Sequence, residues 1–211
     1  MLCQGDDMNK GNDNIFGDSI VDESSRILDV EDKVADLLSA LGIDWRRDPN
    51  MSGTPLRVAR MLVSEMFSGR YLPMPDETTF PNESARDSLD IIGPLTVRST
   101  CSHHLMPVSG KAWIGIIHGD RLLGLSKYKR LLDWVFLRPQ IQEQAVVQYA
   151  DLLEKLLEPK ALAVVVKASH CCMTCSGIKE SAEAQFTTSV MRGVFRDDAA
   201  ARAEFLTLIK V

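Results

Sequence analysis

The sequence predicts an α+β domain: an antiparallel four-stranded sheet with helices on one face, preceded by N-terminal helices. Two observations carry this. Four segments rich in β-branched residues occur in two consecutive pairs, and a long helical region lies between the pairs. The resulting order, strand-strand-helix-helix-strand-strand, fits a layered α+β architecture better than alternating βαβ units. With 211 residues and 45% hydrophobic content the chain can bury a sizeable core.

The elements follow in chain order. Residues 1 to about 24 are rich in Asp, Asn and Gly, so they gain too little from burial to offset the entropy of ordering and read as a flexible tail, 1–25. From Ile27, the residues Val30, Val34, Leu37, Leu38 and Leu41 recur at helical spacing, and Gly42 supplies a C-terminal stop. Thr54-Pro55 predicts a second helix, a capping side chain followed by proline at the first helical position, running to about Gly69. Pro73, Pro75 and Pro81 punctuate a loop from Leu72 to Arg86. These parts form a helical region over 26–90. The sheet-bearing domain, 91–211, begins with strands at Leu95–Cys101 and Val108–Ile117. Helical sequence from Ser126 to Leu157 is divided near Arg138, because Pro139 removes a backbone donor and clashes with the preceding turn. Strands at Ala161–Ala168 and Gln185–Val194 and a terminal helix at Ala199–Ile209 complete the domain.

Composition excludes several functions. No apolar run reaches the eighteen or so residues of a membrane span, and the N-terminus lacks a basic-then-apolar leader, so a cytoplasmic protein without membrane partners is expected. A net charge of −5 argues against non-specific nucleic-acid binding, which needs a broad basic surface. Five cysteines, three of them crowded at Cys171, Cys172 and Cys175, suggest reduced thiols and metal ligation rather than a disulfide framework.

The chemistry-bearing residues cluster at strand ends. Cys101-Ser102-His103-His104 ends the first strand, where Cys101 and His104 have opposite parity, so the chain must turn there if both bind one ion. His170-Cys171-Cys172 ends the third. A Cys-x-x-His pair plus one distant Cys gives three ligands and an open fourth position, the pattern of catalytic zinc. Spacing alone leaves alternatives open. Buried cysteines often act as small hydrophobes, and Cys172 and Cys175 form a C-x-x-C pair suited to a structural zinc or a redox couple. His118, beside Gly119-Asp120, reads as a turn histidine without function.

Five segments together resemble the GTP cyclohydrolase I family: Thr54-Pro55-Leu56-Arg57-Val58-Ala59-Arg60-Met61, Cys101-Ser102-His103-His104, Gly124-Leu125-Ser126-Lys127, Arg138-Pro139-Gln140-Ile141-Gln142-Glu143, and His170 followed by Cys172. They occur in the family's order at compatible spacing, from about Asp29 to the C-terminus. The resemblance implies the tunnelling fold, in which subunits join their sheets into barrels and two rings stack, usually as a homodecamer with active sites between subunits. It implies Zn2+ held by Cys101, His104 and Cys172, with Cys171 and Cys175 as extra thiols. It implies water attack at C8 of GTP or a related purine nucleotide, release of formate and closure of a pteridine ring.

By the same resemblance His103 and His170 transfer protons, a task suited to imidazoles titrating near neutrality. Glu143 accepts from the guanine edge and Gln142 binds the ribose. Arg57 and Arg60, and likewise Lys127 and Arg130, lie three apart on helices and share a face. Such faces are usually just solvated, and it is the family register that directs them, with Ser126, to phosphate. The chain departs from the family at one position. Where an arginine for the triphosphate is expected before glycine, Ser176 precedes Gly177. A neutral hydroxyl in place of a charged fork brings a less phosphorylated or modified nucleotide into view. A non-catalytic nucleotide- or pterin-binding relative is a further alternative, against which the intact Cys101, His103, His104, His170 and Cys172 set argues. Lys179 is a further candidate for those phosphates.

Overall fold

The computed structural model describes residues 22–84, 87–181 and 183–210. Most of the expected tail therefore lies outside the described residues. Helix α1 spans Glu23–Ala40, earlier than Ile27, because Asp22 caps it by accepting from the Ser25 amide. Gly42 follows with φ +74°, as expected for a helix stop. The second predicted helix is not continuous. It consists of α2 (Thr54–Arg60), a π-helical turn (Met61–Met66) and α3 (Ser68–Tyr71). Thr54 is already helical, and its hydroxyl accepts from the Arg57 guanidinium instead of capping the helix.

Two short strands, β1 (Thr79–Pro81) and β4 (Arg121–Leu123), pair antiparallel and place a strand inside the expected proline loop. The main sheet contains β2 (Leu89–Cys101), β3 (Pro107–Ile117), β5 (Pro139–Gln140), β6 (Ala161–His170) and β7 (Phe186–Gly193), in the order β5-β2-β3-β6-β7. It thus has five strands, not four: β2, β3, β6 and β7 are mutually antiparallel, and β5 adds a two-residue parallel edge against Thr100 and Cys101. Pro139 interrupts the helical region as expected. Helix α4 (Leu125–Phe136) ends before it and α5 (Gln142–Leu157) begins after it.

Strand parity shows that the helices do not share one face. Leu162, Val164, Val166 and Ala168 of β6 pack beneath α4 and α5 with Leu131, Leu132, Tyr149 and Leu153. The alternate residues Ala161, Ala163 and Val165 pack with Phe195 of α7 (Val194–Asp197) and with Phe205 and Ile209 of α8 (Ala199–Ile209). The C-terminal helices therefore cover the opposite face, which corrects the single-face expectation. Gly115 permits this approach: a Cβ there would lie 2.5 Å from the Phe205 ring. In β2 a bulge lies between Ile92, paired with Ile114, and Leu95, paired with Ala112. The extra residue inverts the alternation. Leu89 and Ile91 pack toward α8, whereas Leu95, Val97 and Cys101 pack toward α4 and α5.

Candidate metal centre

One end of the sheet gathers the sulfur and imidazole groups. The turn joining β2 to β3 is closed by the Leu105 amide donating to the Cys101 carbonyl and the Cys101 amide donating to the Met106 carbonyl, each at 2.9 Å. Leu105 accommodates the reversal with φ +52°. This is the turn that opposite parity demanded. It brings His104 back over Cys101.

Helix α6 (Cys171–Thr174) starts where β6 ends and presents Cys172 to the same point. The ligand atoms of Cys101, His104 and Cys172 all lie within 4.8 Å of one another. A tetrahedral ion with bonds of about 2.0–2.3 Å holds its ligands roughly 3.5–3.8 Å apart, so the three can hold a metal ion with a small closing movement. The donor set fits a borderline-soft cation. Burial, followed by contact with the Cys101 thiol, pushes the Cys172 thiol up. A divalent ion reverses that preference by stabilising adjacent thiolates. Cys175 is exposed and outside the triangle.

The remaining candidates divide between two ends of the protomer. His103 is exposed on the turn, its ring edge-on to His104 with centroids 6.3 Å apart. His170, the last residue of β6, is half-buried, and burial lowers its imidazole below the usual range while the Glu143 carboxylate partly opposes the shift. Its Nε2 lies 2.9 Å from Gln142 Oε1. Glu143 is exposed in the first turn of α5. These groups sit at the metal end.

Ser126 and Lys127 belong to the other end, and Arg130 lies midway along the same helix. They lie in the first half of α4, whose C-terminus leads through β5 to Cys101. With a rise of about 1.5 Å per residue, Ser126 and Lys127 stand about 14–15 Å, and Arg130 about 9 Å, along the axis from the end of α4 that leads to Cys101. Lys127 donates to the Asp76 carbonyl. Arg57 is exposed but tied to the Asn50 carbonyl and Thr54, and Arg60 is exposed on the same helix. A cleft of about 470 Å³ involving Ser64, Arg98, Thr100 and Asp133 lies beside the sheet and is not lined by the triangle.

Ser176 is half-buried and its hydroxyl donates to the Cys172 carbonyl at 3.0 Å, bracing the loop behind the metal ligand. Lys179 is exposed with φ +53°. His118 is buried, unlike an ordinary turn histidine, and its Nε2 meets Asp90 Oδ2 at 3.0 Å. Sequence reasoning also missed the inward engagement of Gln142. Its position at the start of a helix gave no sign of it.

The chain is similar to known proteins over most of its length. A family model described as GTP cyclohydrolase I matches residues 30–210. The chain is 41% identical over 181 residues to GTP cyclohydrolase 1 of Mycobacterium tuberculosis, covering 85% of this chain and 88% of that protein. It is 36% identical over 189 residues to GTP cyclohydrolase 1 of Haemophilus ducreyi, covering 89% and 86%. A third relative, GTP cyclohydrolase 1 of Histophilus somni, is 33% identical over 202 residues, covering 95% and 92%.

Proposed function

Because the chain belongs to the GTP cyclohydrolase I family, we propose that it converts GTP and water to 7,8-dihydroneopterin triphosphate and formate. The observation that carries this reading is the convergence of Cys101, His104 and Cys172 beside His170. These three residues would hold zinc, which supplies Lewis acidity toward water at neutral pH. His103 and His170 exchange protons with the opening imidazole ring and its departing formyl group. Glu143, exposed at the start of α5, accepts from the guanine edge.

The distribution of the basic residues supports a shared site. Within one protomer Ser126 and Lys127 start α4, whose far end leads to the triangle, and Arg130 lies midway along it. We assign them to the triphosphate of a nucleotide held at a neighbouring subunit's triangle. This favours an oligomer in which sheet edges join, a tunnelling-fold decamer, over an active monomer. Arg57 and Arg60 are assigned to the same phosphate-binding role.

A second reading is favoured by Ser176. Its hydroxyl hydrogen is used on the Cys172 carbonyl, which leaves only lone pairs toward an anion. GDP, GMP or a modified purine nucleotide then becomes the competing substrate class. Zinc-loaded protein incubated with GTP, GDP and GMP, with formate and pterin fluorescence followed together, separates the readings. Equal release of formate and pterin from GTP, fastest among the three, supports GTP; neither product from any nucleotide refutes the cyclohydrolase assignment.

A further inference from the structure

Gln142 is the first residue of α5, yet its side chain points inward and is 5% exposed. Its Nε2 lies 3.3 Å from the Val166 carbonyl, 3.1 Å from the Phe186 carbonyl and 3.1 Å from Thr188 Oγ1. Its Oε1 lies 2.9 Å from His170 Nε2. One carboxamide thus links α5, β6, β7 and the histidine beside the metal triangle.

The chemistry of these partners fixes the direction of each bond. Backbone carbonyls only accept, so the amide nitrogen must face Val166 and Phe186, where its two hydrogens are shared among three acceptors. A flipped amide would set its oxygen against two carbonyl oxygens in a buried site and leave its NH2 toward the imidazole. With the nitrogen held there, the oxygen faces His170. That oxygen is purely an acceptor, so His170 Nε2 must carry the hydrogen. In the neutral ring Nδ1 is then the bare nitrogen.

We infer that Gln142 is a positioning residue that locks His170 as its Nε2–H tautomer, so that protons enter and leave this ring at Nδ1. The inference deepens the cyclohydrolase reading, on which only its kinetic arm rests. It also differs from a ribose-binding role for Gln142: both amide hydrogens are committed internally, and one oxygen lone pair is all that remains for a substrate. The group acts on catalysis through the imidazole.

The test begins with the unaltered full-length protein loaded with zinc. Solid-state nitrogen NMR with labelled histidine side chains reports four rings; at about pH 8.5, two units above the ordinary imidazole value, His170 is neutral. Its resonances are those that vanish in His170→Asn and contact the labelled Gln142 amide. The expected spectrum shows hydrogen on Nε2 and a bare Nδ1. Hydrogen on Nδ1, or an even mixture, overturns the inference without any further variant.

In Gln142→Leu the ring should populate both tautomers, kcat should fall about tenfold, and KM for GTP should move less than about threefold. Thr188→Val, a milder change that removes one acceptor from the amide, should shift the same spectrum less. A pure Nε2–H ring in Gln142→Leu, or a rise in KM with unchanged kcat, overturns the positioning role. Lack of turnover with GTP in the unaltered protein would instead sink the cyclohydrolase reading and leave the tautomer to be decided by the spectrum.

Discussion

Ser176→Arg tests the departure from the family directly. A charge-assisted bond from a guanidinium to phosphate contributes about 1.5–3 kcal/mol, which corresponds to about tenfold to a hundredfold in affinity. Ser176 is only half-buried, so solvent screening reduces the gain, and about tenfold is the expected fall in KM for GTP. The substitution also removes the bond to the Cys172 carbonyl, at a cost of about 1 kcal/mol in stability. The two effects are read separately. KM comes from pterin fluorescence, stability from denaturant midpoints, and metal content from atomic emission. Ser176→Ala serves as the control, with the stability loss and no gain in KM. The improvement should be smaller for GMP, which lacks the distal phosphates, and kcat should change little if the contact is equally strong in ground and transition states. An unmoved KM for GTP with full zinc would refute the reasoning, because the loop would then not face the phosphate chain.

Three further outcomes are expected. Alanine at Cys101, His104 or Cys172 should abolish bound zinc and turnover, and full zinc occupancy in Cys172→Ala would remove it from the ligand set. Light scattering should find a large homo-oligomer, as the shared-site reading requires; an active monomer would end that reading. Phe205→Ala should lower stability by about 3–5 kcal/mol in denaturant titration while metal content holds, because Phe205 packs on the face away from α4 and α5. Loss of zinc from the folded Phe205→Ala protein would show that the two faces are coupled.

Much of the fold was legible because its signals are local. Pro139 stops one helix wherever the surrounding residues lie, and the four long strands carry their own β-branched character. The turn at Cys101–His104 could be required from parity before its geometry was known. What escaped the sequence was non-local. The period of α8 gives no indication of which sheet face it will cover, and that choice depends on the absence of a side chain at Gly115, far away in the chain. The π-helical turn after Arg60 reflects a single shifted hydrogen-bond pattern, with the Phe67 amide donating to the Leu62 carbonyl, and residue type does not encode it. Gln142 and His118 resemble surface polar residues in sequence. Their partners, 24 to 46 residues away, turn them inward.

The bulge in β2 has a consequence for the metal centre. Without its extra residue, strict alternation from Leu89 and Ile91 would carry Leu95, Val97 and Cys101 to the α8 side. Cys172 packs on the α4 and α5 side. The coordination triangle therefore depends on a counting step at residues 93–94, where every ligand can be left chemically intact. An in-frame loss of one residue there would put the two halves of β2 in one phase, so that either Cys101 or the Leu89 and Ile91 pair would have to change faces. Ligand identity and ligand phase are thus separate requirements of the site, and only the first is visible in a motif.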